Sequence, residues 1–293
     1  MNTGVVFATT GGSTILRAVR SFRNSHPNID VHVIIDISSN TWNKTDQSSI
    51  LSWLSNNNIN IKLVENKFYI NGILNKGIEW MEELKYSHAC IFHDDVVFSP
   101  LEKYHISKWF DTVENDITFS FMQAFSNEAP KKWLMTPEEW DRENLESTEL
   151  WETLLGSISY LKHANYCLGN TAKELKLNNW FAQYYCVENI EPTMRLGPAG
   201  QIINIEKWNR LGRFDESFGI FYDIQYPSEA RVKTEEPCLM IPNTPFLHLH
   251  NQSIGISDLA KGIWTNQDKA FKNKYGKTYI DLWSSPTPVT AAI

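Results

Sequence analysis

Cysteine is scarce in this chain of 293 residues: there are four, Cys90, Cys167, Cys186 and Cys238, and no C-x-x-C pair. Such wide spacing gives no support to a zinc ribbon or a thioredoxin-like redox motif, and reduced, isolated thiols suit a cytosolic protein. Basic charge is also short. Lys and Arg number 27 against 34 Asp and Glu, a formal net charge of −7, which excludes a protein that wraps nucleic acid through a broadly basic surface. No stretch approaches the ~18 consecutive apolar residues of a membrane helix. Met1-Asn2-Thr3-Gly4-Val5-Val6-Phe7 has neither the basic start nor the sustained apolar run of a secretory signal. The expectation is a soluble, cytoplasmic protein without a membrane span. An internal repeat and a low-complexity linker are also missing, so one domain carrying an insertion is expected rather than two independent ones.

What is present is ordinary in bulk and uneven in detail. At 42% hydrophobic and 21% charged residues the composition is that of a globular protein with a sizeable core. The 15 Phe, 11 Tyr and 11 Trp serve either as core or as stacking platforms for planar and sugar ligands. Residues 4–10 form a β-branched run closed by Gly11-Gly12, and Thr14 to Asn24 places Ile15, Leu16, Val19 and Phe22 at helical spacing. Val31 to Asp36 is a near-continuous apolar strand followed by a polar loop, Ser38-Ser39-Asn40; Ile50 to Leu54 suits a helix and Ile59 to Val64 a strand. A helix is expected over 71–85, leading into the buried strand Ala89-Cys90-Ile91-Phe92. Apolar strands alternating with helices predict an α/β fold around a mostly parallel sheet covered on both faces. Residues 128–152 hold eight acids against three bases and read as helix and loop outside that sheet. From residue 200 the pattern is regular again, with a strand at 201–205, a helical turn at 206–211, a glycine-bearing turn at 212–216 and a lysine-rich surface helix from Asp258 to Tyr279.

Three constellations carry chemistry. His93-Asp94-Asp95 follows the buried strand directly, and the carboxyl end of a strand is where an open α/β sheet presents ligand-binding groups. One or two carboxylates, with phosphate oxygens completing the shell, suffice for Mg²⁺ or Mn²⁺; the alternative is a pair of turn caps. Asp223 follows Ile220-Phe221-Tyr222, aromatic surroundings that raise a carboxylate toward the neutral pKa of a general base; the alternative is a helix N-cap. His248 and His250 are two apart, hence on one face of a strand, and can converge on one metal or phosphate.

With these features in order, the chain resembles the GT-A-fold glycosyltransferases, most closely the inverting family 2 enzymes that use nucleotide-diphosphate sugars. The resemblance lies in Val5 to Phe22, Val31 to Asn40, Asn71 to Pro100 and Gly200 to Arg231. Asn71-Gly72-x-x-Asn75-x-Gly77 with Cys90-Ile91-Phe92-His93-Asp94-Asp95 is similar to the family's helix and Asp-x-Asp-type strand end. Arg210-Leu211-Gly212-Arg213-Phe214-Asp215-Glu216-x-Phe218 is similar to its "lGgFDE.f" turn, the most specific match. The resemblance implies a GT-A, Rossmann-like mixed sheet, mostly parallel, flanked by helices, with a helical or loop insertion. It implies one catalytic domain over 1–257: a nucleotide-sugar half about 1–122, an insertion or acceptor region about 123–199, and a catalytic half about 200–257, followed by a helix and tail over 258–293.

Carried over by position, Thr9, Thr10 and Asp36 would hold base and ribose, with Asn71 and Asn75 on the donor side. Asp94 would face the ribose or diphosphate, Asp95 would bind Mn²⁺ or Mg²⁺ with His248 or His250, and Asp223 would deprotonate the acceptor hydroxyl. Tyr222 stands where the family's partner acid is expected, and no Gln-x-x-Arg-Trp element is visible, which favours single addition over processive synthesis. Trp133, Trp140, Trp151 and Trp180 mark the expected acceptor side, for a glycan, a protein side chain or a hydroxylated base in DNA. Arg17, Arg20 and Arg23 read either as phosphate contacts or as a solvated helix face. Two other readings compete: a nucleotidyltransferase, weakened because Thr9-Thr10-Gly11-Gly12-Ser13 has no adjacent lysine, and a non-catalytic nucleotide-sugar binding module, motivated by Tyr222.

Overall fold

In the computed structural model, residues 2–67, 69–99, 102, 105–110, 118–124, 191–193, 199–219, 225–226, 238–248, 266 and 269–277 are described. Four strands build the amino-terminal half: β1 (Thr3–Thr9), β2 (Val31–Asp36), β3 (Asn60–Val64) and β4 (His88–His93). They pair in parallel in the order β3-β2-β1-β4, with Val5 opposite both Val31 and Cys90. The helices between them are α1 (Thr14–Ser25), α2 (Asn40–Lys44), α3 (Gln47–Asn56) and α4 (Tyr69–Glu83).

Each central strand is buried on both faces, and the side chains divide by parity. Val5, Phe7, Val33 and Ile35 pack with Ile15, Ala18, Val19 and Phe22 of α1 and with Ile50 and Leu54 of α3. Val6, Ala8 and Ile34 pack on the other side with Ile73, Leu74, Ile78 and Met81 of α4. A side chain buried in this way contributes about 1.5–3 kcal/mol relative to exposure, so the apolar runs fix strand register on two faces at once. Gly77 lets α4 settle on the sheet: a Cβ there would lie 3.2 Å from Ile91 Cδ1.

Beyond β4 the sheet becomes mixed. It continues through β8 (Gly200–Asn204), β6 (Thr118–Ala124), β9 (Cys238–His248) and β5 (Val96–Val97), while β7 (Glu191–Thr193) pairs with β9. β8 runs antiparallel to β4 and to β6, and β6 is parallel to β9. Helix α5 (Ile205–Leu211) then buries Ile205, Trp208 and Leu211 beneath α4.

Two local expectations are corrected. The polar loop at 38–40 starts helix α2, because Ser39 caps it by accepting the Trp42 N–H at 2.9 Å. The carboxy-terminal segment is not simply a surface helix. Over its helical residues 269–275, Phe271 and Tyr275 are buried, and the Phe271 ring lies 4.6 Å from that of Phe218. Four residues apart, they share one helix face and clamp the 212–218 turn to the domain.

Candidate active site

Parallel pairing brings the carboxyl ends of β1, β2 and β4 side by side, with Thr9 opposite Ile35 and Ala8 opposite His93. Thr9, Thr10, Asp36, Asp94 and Asp95 therefore gather on one edge of the sheet, where open α/β folds bind ligands.

Asp94 is the electrostatic centre of this edge. The Thr9 hydroxyl donates to Asp94 Oδ2 and accepts the Gly11 N–H at 2.8 Å, and the Thr14 side chain also bonds the carboxylate. Loss of water and then the charge of Asp95 push Asp94 up to about 7, against the pull of those hydrogen bonds. Asp95 is buried, at 8% exposure. Arg17 of α1 is electrostatically linked to the same group: burial and the charge of Arg20 lower its pKa while the charges of Asp94 and Asp95 raise it.

Asp36 terminates β2 and is buried, and its Oδ1 accepts from Ser38 N at 3.0 Å, Ser38 Oγ at 2.6 Å and Asn66 N at 3.2 Å. The carboxylate thus sews the loop after β2 to the loop after β3. Ser39 Oγ in turn donates to the Thr10 carbonyl, and Trp42 lies against Gly11. Gly11 has φ +90, and a Cβ on it would stand 2.4 Å from Trp42 Cε3, so glycine is needed for both backbone and space.

Three residues expected on the donor side have intramolecular partners in the fold. The Thr9 hydroxyl bonds Asp94 and Gly11, and Thr9 is 2% exposed, so it braces the acid. Asn75 donates to the Phe214 carbonyl at 2.9 Å and to Glu216 Oε1 at 3.1 Å, and accepts the Phe214 N–H at 3.1 Å. Asn71 donates to the Asp215 carbonyl at 2.8 Å, while its own N–H meets the Gly219 carbonyl at 2.7 Å. Both amides are buried struts that hold the 212–219 turn along α4. The turn borders an open polar cleft of about 380 Å³ whose walls include Asn75, Glu216, Gln225 and Lys274.

The register of β9 adds a second connection. Its His248 pairs with Val96, so the backbone of one expected metal ligand lies beside the residue that follows Asp95. Asp223, Tyr222, His250 and the four tryptophans of the expected acceptor side fall outside the described residues. Among the described residues, no three His, Cys, Asp or Glu side chains converge as a closed metal cage. Two adjacent carboxylates still fit a hard divalent cation whose remaining ligands are phosphate oxygens and water. Thr14 and Asn66, which sequence reasoning did not single out, and Arg17, which it named as a candidate phosphate contact, lie beside the acids of this strand end. The helical spacing of Thr14 and Arg17 was the available signal.

The raised Asp94 pKa has a definite sign. The folded protein retains a proton that the unfolded chain has already released, so the stabilisation present below pH 4 is lost as the pH rises toward and through about 7. A divalent cation bound at the pair would replace that proton. Mn²⁺ should therefore bind about tenfold more weakly at pH 6 than at pH 8, following the ionised fraction of a group titrating near 7. Calorimetric Mn²⁺ titrations at the two values check this, and Asp94→Asn should flatten the difference.

Comparison with solved structures matches this architecture. A mannosyltransferase from Pyrobaculum calidifontis, in complex with GDP-Man and Mn²⁺, superposes with TM-score 0.51 at 10% identity over 86% of this chain and 58% of its own. GalNAc-T7 with UDP, GalNAc and Mn²⁺ gives 0.51 at 12% identity over 84% of this chain and 43% of its own. The chain has the GT-A fold. TarS 1–349 of S. aureus in complex with UDP-GlcNAc also gives 0.51, at 11% identity over 93% of this chain and 67% of its own. The GT-A chain described here thus spans less than two thirds of the length of the first two. No family model matches it, and no curated protein matches it by sequence. Among the described residues no helix is long and apolar enough to cross a membrane.

Proposed function

We propose that the chain is a metal-dependent glycosyltransferase that moves a sugar from a nucleotide-diphosphate sugar to an acceptor hydroxyl by direct displacement with inversion. The observation that carries this reading is the Asp94-Asp95 pair at the carboxyl end of β4, buttressed by Thr9 and Thr14 and beside the Asp36 loop. When bound there, Mn²⁺ or Mg²⁺ neutralises the leaving diphosphate. Asp95 and Asp94 would hold the ion, with His248 or His250 as a further ligand. Asp36, Thr10 and the loops they tie together would seat base and ribose. Asp223 would take the acceptor proton, and Tyr222 beside it would leave it as the lone carboxylate of that motif.

The 1–122 half serves the donor in this reading, the Trp-bearing 123–199 region the acceptor, and 200–257 the base, with the site working in the cytoplasm. A glycan or another hydroxyl-bearing molecule, including a hydroxylated DNA base, is the acceptor class. A thermal-shift screen of UDP- and GDP-sugars with Mn²⁺, followed by product analysis on candidate acceptors, tests it. Release of free nucleoside diphosphate is expected. Release of pyrophosphate would instead identify a nucleotidyltransferase, and nucleotide-sugar binding with no turnover on any acceptor would identify a binding module.

A further inference from the structure

We propose that Arg17, one turn into α1 on the side of Thr14 and the acidic strand end, is a built-in ligand for the donor's diphosphate. The inference rests on the glycosyltransferase reading above and adds to it a side chain on α1.

Two contacts fix the face that α1 turns toward the acidic strand end. Thr14 bonds Asp94, and Ser21 Oγ accepts the Phe98 N–H at 3.1 Å. At ~100° per residue, Thr14, Ala18, Ser21 and Ser25 form one stripe, and Arg17 lies within about 60° of Thr14, one turn from the helix start. Arg23, by the same count, lies about 180° from Thr14 and faces away. Arg17 is half-buried and within electrostatic reach of Asp94, of Arg20 on its own helix and of Asp95, so the two acids face two guanidinium groups. A planar guanidinium stays charged at any working pH, even in crowded surroundings, and its fork matches two phosphate oxygens.

Charge balance gives this position its purpose. Without substrate, Arg17 offsets part of the repulsion between two adjacent carboxylates. A divalent cation arriving with a nucleoside diphosphate neutralises the carboxylates and leaves the phosphate oxygens in excess. The guanidinium is then released from the acids to the phosphates without leaving the site. In a chain of net charge −7 this supplies local positive charge where it is needed.

The test compares UDP with UMP, and GDP with GMP, by calorimetry in Mn²⁺ on the full chain and on Arg17→Gln and Arg17→Lys. Arg17→Gln should weaken the diphosphate nucleotide about tenfold or more and the matching monophosphate no more than about twofold, as expected for loss of a charge-assisted bidentate contact. Arg17→Lys should recover part of that loss. Mn²⁺ alone should bind Arg17→Gln at least as tightly as the parent, because a competing cation is gone. A residue that merely braces the fold would instead lower thermal stability, weaken both nucleotides alike and leave Mn²⁺ binding weaker. That pattern, or undiminished diphosphate binding by Arg17→Gln, overturns the assignment while the glycosyltransferase reading stands. A parent protein that binds neither nucleotide series in Mn²⁺ overturns both.

Discussion

Asp95→Ala is expected to lower sugar transfer about a thousandfold or more, since loss of the cation's stabilisation of a departing diphosphate amounts to several kcal/mol. Asp95 sits at the end of a strand buried on both faces, and its neighbour Asp94 is already braced by Thr9 and Thr14. No shift of the backbone can easily replace the missing carboxylate. The variant should keep its fold, because the side chain lies at the edge of the sheet and contributes nothing to the apolar layers. It should also change its neighbour: the charge of Asp95 is one cause of the raised Asp94 pKa, so without it the Mn²⁺ affinity that remains should be weak and its pH dependence displaced toward acid. Transfer rates and Mn²⁺ titrations across pH 5–8 measure both effects. Full activity of Asp95→Ala in buffer freed of chelator would rule out the metal assignment.

Asp223→Asn is expected to reduce kcat by about 10²–10⁴ while leaving donor affinity nearly unchanged, the signature of a group that acts on a proton in the transition state. Asparagine keeps the size and the hydrogen-bonding carbonyl but cannot accept the acceptor's proton. Gln225, two residues on, is buried and accepts the Asp215 N–H through Oε1 at 3.2 Å, so the chain next to Asp223 is anchored to the 212–216 turn. Single-turnover rates on one acceptor, with donor binding followed separately, distinguish a lost base from lost binding. An Asp223→Asn protein as fast as the parent would remove Asp223 from the reaction and leave the base unassigned.

The amino-terminal half of this fold is written plainly in the chain. Val31 to Asp36 and Ala89 to Phe92 are apolar on both parities, which only a strand covered on two faces tolerates, and their ends deliver Asp36 and Asp94-Asp95 to one edge. Helix limits move by a few residues, to Asp46 as the cap of α3 and to Lys85, with φ 68, just beyond α4. Roles were harder to see than places. Asn75 was legible as part of a motif, but spacing along a chain does not show which groups its amide faces, and those groups lie on a turn roughly 140 residues later. Thr9 was legible as a strand end but not as a residue whose hydroxyl is already spent. Arg17 was legible with Arg20 and Arg23 as a candidate phosphate contact, but only the fold tells it from Arg23 by placing it toward the two acids. Phe271 and Tyr275 sat among lysines, and only the fold reveals that one face of that helix is core.

The pairing of Val96 with His248 also sets a clock. A ribosome adding about 5–20 residues per second needs roughly 8–30 s to travel from the acidic strand end to its partner strand. During that interval β1 to β4 can assemble, since all four strands and the helices between them have been made, but β5 has no β9 to join. The half-made chain therefore carries Asp94 and Asp95 at the end of β4 before the strand that pairs with Val96 and Val97 exists, so the backbone just after the acids is the last part of that strand end to gain its partner.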